Sequence, residues 1–134
     1  MSGYFITLEG IDGSGKTTQA DMLQKKLKSL GRKVILTREP GGVRGAEEIR
    51  ELLVQGSTDR WSSITETLLF FAARRHHLEQ RILPALESGT IVICDRFSDS
   101  TMVYQGGENP KIQELIGNLG KLAIGLEPNL TLII

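Results

Sequence analysis

Residues 10–17 read GIDGSGKT and match G-x-x-x-x-G-K-[ST]. The pattern follows an apolar run, YFITLE, and opens a helix-forming stretch, which is the context a phosphate-binding loop requires. Glycines at such a turn let successive backbone N–H groups converge on phosphate oxygens, and the helix behind them adds its positive end. Gly10, Ile11, Asp12, Gly13, Ser14, Gly15, Lys16, Thr17 and Thr18 therefore form a candidate cradle for a nucleoside triphosphate. Lys16 would reach the β- and γ-phosphates, and the Thr17 hydroxyl would ligate Mg²⁺. From average residue usage the pattern arises by chance in well under about 1% of chains of this length.

The loop alone does not name the acceptor, because several reaction classes use it. No NKxD-like guanine-reading segment is present. Instead TIVIC, residues 90–94, runs into Asp95 and Arg96. An acid–arginine pair by itself reads as a surface ion pair. Beside a phosphate loop it reads as chemistry: Asp95 can hold Mg²⁺ through water, and Arg96 can bridge donor and acceptor phosphates. REPGG, residues 38–42, supplies Arg38 as a second clamp within a tight turn. In LLFFAARRHH, Phe70 and Arg74 are four apart and share a helical face, an arrangement that can stack and hydrogen-bond a nucleobase. Taken singly, Phe70 and Phe71 also suit a core and Arg74 a solvated surface. Ser100, Tyr104 and Gln105 follow near the same strand edge.

The elements that must position these residues alternate. Strands are expected at YFITLEG, KVILTRE, TIVICD and LTLII, and helices at TTQADMLQKKLKSLG, GAEEIRELLVQG, ITETLLFFAARRHHLEQRILPALESG and IQELIGNLGKLAIGL. Ala20, Leu23, Leu27 and Leu30 form one stripe of the first helix, and Pro84 is expected to start or kink a further turn. This order argues for a single α/β domain with a parallel sheet and helices on both faces. Ligands in such sheets bind beyond the C-terminal strand ends, where the motif residues fall.

Composition narrows the class. The 134 residues carry 16 Lys and Arg against 16 Asp and Glu, so no global field recruits nucleic acid or an anionic membrane. No apolar run reaches the ~20 residues of a membrane span, and no secretory signal pattern opens the chain. The single cysteine, Cys94, excludes an internal disulfide, suits a reducing cytoplasm and reads as an inert buried hydrophobe. His76 and His77 lack partners at metal-ligand spacing and read as helix surface. Trp61 reads as packing or interface. Glu9 and Glu39 suit either ordering of Mg²⁺-bound water or local ion pairing.

Together the segments F-x-x-x-EG-x-x-G-x-GK[TS]TQ, REPGG, LLF-x-A-x-R and DR-x-x-x-S-x-x-x-YQG resemble the bacterial-type thymidylate kinase family in order and spacing, over essentially the whole chain. The resemblance implies a P-loop NTPase three-layer αβα fold with strand order 2-3-1-4-5. It implies Mg²⁺-dependent transfer of the ATP γ-phosphate to dTMP by a cytoplasmic homodimer. By that resemblance Phe70 stacks on thymine, Arg74 bonds its carbonyl, and Ser100 and Gln105 complete the base contacts. Tyr104 lies under the deoxyribose, Asp12 accepts from the 3′-hydroxyl, and Arg38 and Arg96 hold the acceptor phosphate.

The family's chains continue through a lid, a fifth strand and a terminal helix, so residues 1–134 are expected to be C-terminally incomplete. The loop stretch DGSG holds no basic residue before Lys16, the pattern of the subtype whose catalytic arginine comes from the lid. A weak or inactive catalyst is therefore expected from these residues alone. Two alternatives stay open: a nucleotide-binding fragment or pseudo-enzyme without turnover, and a P-loop kinase for a different nucleoside monophosphate.

Overall fold

The computed structural model describes residues 2–11, 13–55, 60–97 and 109–134. The elements are β1 (Tyr4–Glu9), α1 (Lys16–Ser29), β2 (Val34–Arg38), α2 (Arg44–Val54), α3 (Ser63–His77), α4 (Leu83–Glu87), β3 (Ile91–Asp95), α5 (Pro110–Leu119) and β4 (Leu130–Ile133). The four strands form one parallel sheet in the order β2-β3-β1-β4. That is the expected order over the strands present.

Alternation along the strands sorts side chains onto two faces. Ile6, Leu8, Val34 and Ile93 pack with Ala20, Leu23 and Leu27 of α1. Phe5, Val92 and Cys94 pack beneath Phe71, Leu78, Ile82, Ile112 and Ile116 on the other face. This two-faced core is the expected three-layer arrangement. Leu30 departs from the predicted stripe: α1 ends at Ser29, and Leu30, past its last turn, is 63% exposed.

The register then fixes the site. Asp95 pairs with Leu8 on one side and Arg38 on the other, so all three share one row at the C-terminal edge. The same alternation turns Arg38 and Asp95 toward the α1 face, and Thr37, Glu39 and Glu9 toward the α3 face.

The long helical segment after Trp61 is capped by the Ser62 hydroxyl, which accepts from the Thr65 N–H. Pro84 lies in the first turn of α4, which it was expected to start. Residues Leu78–Ile82 form a wider π turn between α3 and α4, with the Leu83 N–H donating to the Leu78 carbonyl. The wide turn lets the helix absorb a proline that has no N–H to give. A second π turn, Gly120–Ile124, extends α5 and closes at Gly125, whose φ of 66° suits glycine. Asn129 ties the approach to β4 onto β1: its side-chain oxygen accepts from the Phe5 N–H at 2.8 Å, and its own N–H donates to the Phe5 carbonyl.

Candidate active site

The phosphate loop joins β1 to α1. Gly13 and Gly15 have φ of 83° and 89°, and a Cβ on either would meet nothing within 4 Å. They are glycines for conformation, not for lack of room. The Ser14 hydroxyl oxygen is buried with no hydrogen-bond partner among the described residues. Buried polar atoms are ordinarily satisfied, so this orphan suits a loop built around an oxyanion.

Lys16 is buried, and its Nζ lies 2.5 Å from Asp95 Oδ1. The loop lysine thus rests on the acid at the end of β3, which strand alternation turns toward the α1 face. A cleft of about 380 Å³ opens beside this pair, bordered by Thr17, Asp95, Arg38, Glu47 and Gly42. Arg38 does not project freely into it. Its guanidinium forks onto Glu47, with Nη2 3.0 Å from Oε1 and 3.2 Å from Oε2. Glu47, in the first turn of α2, also accepts the Gly42 N–H at 3.0 Å. That backbone bond, aided by Arg38 and opposed by partial burial, lowers the Glu47 carboxyl pKa.

Arg96 holds a φ of 71°, a left-handed conformation unusual for a residue with a Cβ. Its neighbours impose it. The Arg96 N–H donates to the Leu8 carbonyl at 2.9 Å, and its carbonyl accepts the Cys94 thiol at 3.2 Å. The next N–H, of Phe97, donates to Glu9 Oε2 at 2.9 Å, while the Phe97 ring is fully buried edge-on to Phe5. Glu9 thus helps to hold this turn through a hydrogen bond from a backbone N–H. Cys94 is fully buried, as expected; burial pushes its thiol pKa well above the ordinary value.

Helix α3 carries the largest departure from expectation. Arg74 is only 3% exposed; its Nε donates to Glu39 Oε1 at 2.5 Å, and its guanidinium lies over the rings of Phe97 and Phe71 at 4.8 and 5.2 Å. It is not a solvated surface charge. Phe71 is core, whereas Phe70 is half-buried. His77, expected on the helix surface, is fully buried. Its Nδ1 is 2.7 Å from Glu39 Oε2, and its Nε2 is 2.7 Å from the Thr37 hydroxyl. Burial follows from position: His77 is three residues beyond Arg74 on the face turned to the sheet. Glu39 takes the ion-pairing alternative. His76 is half-buried against Gly45 of α2. Trp61 donates from Nε1 to the Leu52 carbonyl at 2.8 Å, consistent with packing.

Lys16, Asp95, Arg38, Glu39, Arg74 and Arg96 are thus linked along one sheet edge, the Glu39 N–H closing the chain onto the Asp95 carbonyl at 2.9 Å. Asp12, Ser100, Tyr104 and Gln105 lie outside the described residues. Sequence reasoning missed two participants. His77 had a readable signal in its spacing from Arg74; Glu47 had none beyond being acidic in a helix's first turn.

Comparison with known proteins gives the same reading. The thymidylate kinase family model matches residues 8–134. The thymidylate kinase of Ruegeria pomeroyi is 57% identical over 99% of this chain and 63% of its own length. Those of Dinoroseobacter shibae and Jannaschia sp. are 58% and 57% identical, and each is covered over 64% of its length. The chain therefore spans just under two thirds of these relatives. The crystal structure of thymidylate kinase from Ehrlichia chaffeensis superposes with a TM-score of 0.89 at 45% identity, covering all of this chain and 75% of that one. By motif, fold and sequence, the chain belongs to the thymidylate kinase family.

Proposed function

We propose that the protein transfers the γ-phosphate of ATP to the 5′-phosphate of dTMP, yielding dTDP and ADP. An oxygen of the dTMP phosphate forms the new bond to the γ-phosphorus as the bond to the β–γ bridging oxygen breaks. The observation that carries this reading is the continuous edge from Lys16 through Asp95 and Arg38 to Glu39 and Arg74. It sets side by side the residues that this reading assigns to the triphosphate, the acceptor phosphate and the base.

In this reading the phosphate-loop amides and the Ser14 hydroxyl receive the triphosphate. Lys16 leaves Asp95 for the β- and γ-oxygens. Arg96 and Arg38 gather the acceptor phosphate, Arg38 exchanging Glu47 for it, and offset the charge that spreads over the transferred group. Asp12 takes the 3′-hydroxyl, Phe70 and Arg74 take the thymine with Ser100 and Gln105, and Tyr104 underlies the deoxyribose.

Mg²⁺ fits the donor set. Thr17 and Asp95 border one cleft. Two protein oxygens suit an ion that keeps water and phosphate as its other ligands. When bound, Mg²⁺ would neutralise phosphate charge.

A homodimer is part of the same reading. The exposed apolar side chains Leu52 on α2 and Ile64 and Leu68 on α3 support packing through these helices. A cytoplasmic location is also part of it. No helix among the described residues is long and apolar enough to cross a membrane.

The test is an acceptor panel with ATP. dTMP should be preferred, and dUMP, lacking one methyl, should lose roughly 10–200-fold in kcat/KM. dCMP and dAMP should fare worse, because Arg74 and Gln105 would face mismatched groups. Equal kcat/KM for dCMP or dAMP would overturn the acceptor assignment. Phe70→Ala should weaken dTMP binding by about 10–100-fold, since stacking on an aromatic contributes roughly 1–3 kcal/mol; a titration of the variant checks it.

The sequence DGSG before Lys16 favours a second reading for residues 1–134 assayed alone, as a module that binds without efficient turnover. With no basic residue in the loop before Lys16, residues 1–134 assayed alone should transfer phosphate roughly 10³–10⁵-fold more slowly than full-length relatives. Robust turnover in a single-turnover assay of the purified 134-residue chain would contradict it.

A further inference from the structure

His77 touches neither the cleft nor the phosphate loop, yet its two ring nitrogens hold the side chains on either side of Arg38. Nε2 meets the Thr37 hydroxyl and Nδ1 meets the Glu39 carboxylate, both at 2.7 Å. Successive strand side chains point to opposite faces. Fixing Thr37 and Glu39 toward α3 therefore fixes Arg38 toward α1, and Thr37 and Arg38 both line the cleft. The other Glu39 oxygen holds Arg74, so one imidazole braces the arginines assigned to the acceptor phosphate and to the base.

The packing is as constrained as the bonding. Gly42 has a φ of 94°, and a Cβ there would strike the His77 ring at Nε2 and Cδ2 and approach the Thr37 hydroxyl at 2.7 Å. The loop backbone thus closes directly over the imidazole. His77 is fully buried, and Thr37, Glu39 and Arg74 are each less than 8% exposed. Both ring nitrogens are occupied, so the group is saturated within the protein and holds none in reserve for substrate.

We propose that His77 is a positioning residue for the acceptor nucleotide, acting through Thr37 and Glu39 to aim Arg38 and Arg74. The proposal rests on the functional reading above for the identity of that nucleotide, but not for the bracing itself. A residue that merely filled space would affect stability and both substrates alike. A positioning residue on this side should affect the acceptor and spare ATP.

Steady-state kinetics on the protein as its gene encodes it, with three variants, provide the test. His77→Leu keeps bulk and removes both bonds; the KM for dTMP should rise about ten-fold or more, because buried polar partners are left unmatched, while the KM for ATP stays unchanged. His77→Asn can place an amide where Nδ1 lies and should recover most of that loss through Glu39. His77→Gln reaches the Nε2 position and should recover less. An unchanged dTMP KM in His77→Leu, a parallel rise for ATP, or no difference between Asn and Gln would each overturn the proposal.

Amide exchange in the nucleotide-free protein reads the brace without catalysis. The Glu39 and Gly42 N–H groups should exchange about ten-fold faster in His77→Leu, beyond any change at the central strands, and recover in His77→Asn. Unchanged exchange there would also overturn it. If the wild type phosphorylated a different monophosphate, the acceptor assignment would fail and the KM comparison would be read with that monophosphate. If it phosphorylated none, amide exchange would decide.

Discussion

Arg96→Gly is expected to abolish phosphoryl transfer and yet to give a more stable protein than Arg96→Ala. Both variants lose the guanidinium assigned to bridge donor and acceptor phosphates, and loss of such an arginine slows transfer by roughly 10³–10⁵-fold. They differ in the backbone. At a φ of 71° alanine keeps its Cβ in the left-handed region, which disfavours it by about 1–2 kcal/mol, whereas glycine adopts that region freely. The conformation survives because four contacts over-determine it: Leu8 and Cys94 on the Arg96 backbone, Glu9 on the Phe97 N–H, and the Phe97 ring against Phe5. Strain held in place this way aims a side chain at a site. Urea denaturation of the two variants should place the glycine protein about 1 kcal/mol above the alanine protein, after allowing for glycine's looser unfolded chain. Equal stabilities would mean that the turn stores no strain, and near-normal transfer in either variant would remove Arg96 from the mechanism.

Glu39→Ala should have the largest effect on stability. One carboxylate, 7% exposed, serves both Arg74 Nε and His77 Nδ1. Removing one partner of a buried ion pair is far more destabilising than the pair is stabilising, because the remaining charge stays desolvated; about 3–5 kcal/mol is expected. That is a large fraction of the roughly 5–15 kcal/mol that holds a domain together. Exchanging both members for apolar groups should recover part of the loss. Glu39→Leu combined with Arg74→Met is therefore expected to be more stable than Glu39→Ala, although without an acceptor site. A loss below about 1 kcal/mol for Glu39→Ala would show that water reaches the pair and that the brace is not a buried one.

The fold was legible where local patterns decide it. Apolar runs located all four strands, and the phosphate-loop pattern located the turn between the first strand and its helix; that Lys16 meets Asp95 came only from the structure. The row joining Leu8, Asp95 and Arg38 is set by inter-strand register, which residue types alone do not fix. Pro84 was legible as the start of a further turn, whereas the π turn before it had no sequence signal. His77 was misread because a histidine pair beside Arg75 looks like a charged surface. Its burial becomes visible only once Arg74 is known to face the sheet, and its partners Thr37 and Glu39 are about 40 residues away in the chain. The left-handed Arg96 had no sequence signal at all, since its conformation comes from hydrogen bonds to β1 and to Cys94.

Calorimetric titration with dTMP, set beside ribo-TMP and dCMP on the same folded sample, tests the central claim most directly. The site described here should bind dTMP with clear preference over both. Arg74 and its neighbours would discriminate the base, and Tyr104, assigned beneath the deoxyribose, would discriminate the 2′-hydroxyl. Binding of dCMP as tight as that of dTMP, or no binding of dTMP by protein shown to be folded, would contradict the assignment of this sheet edge as a thymidylate site.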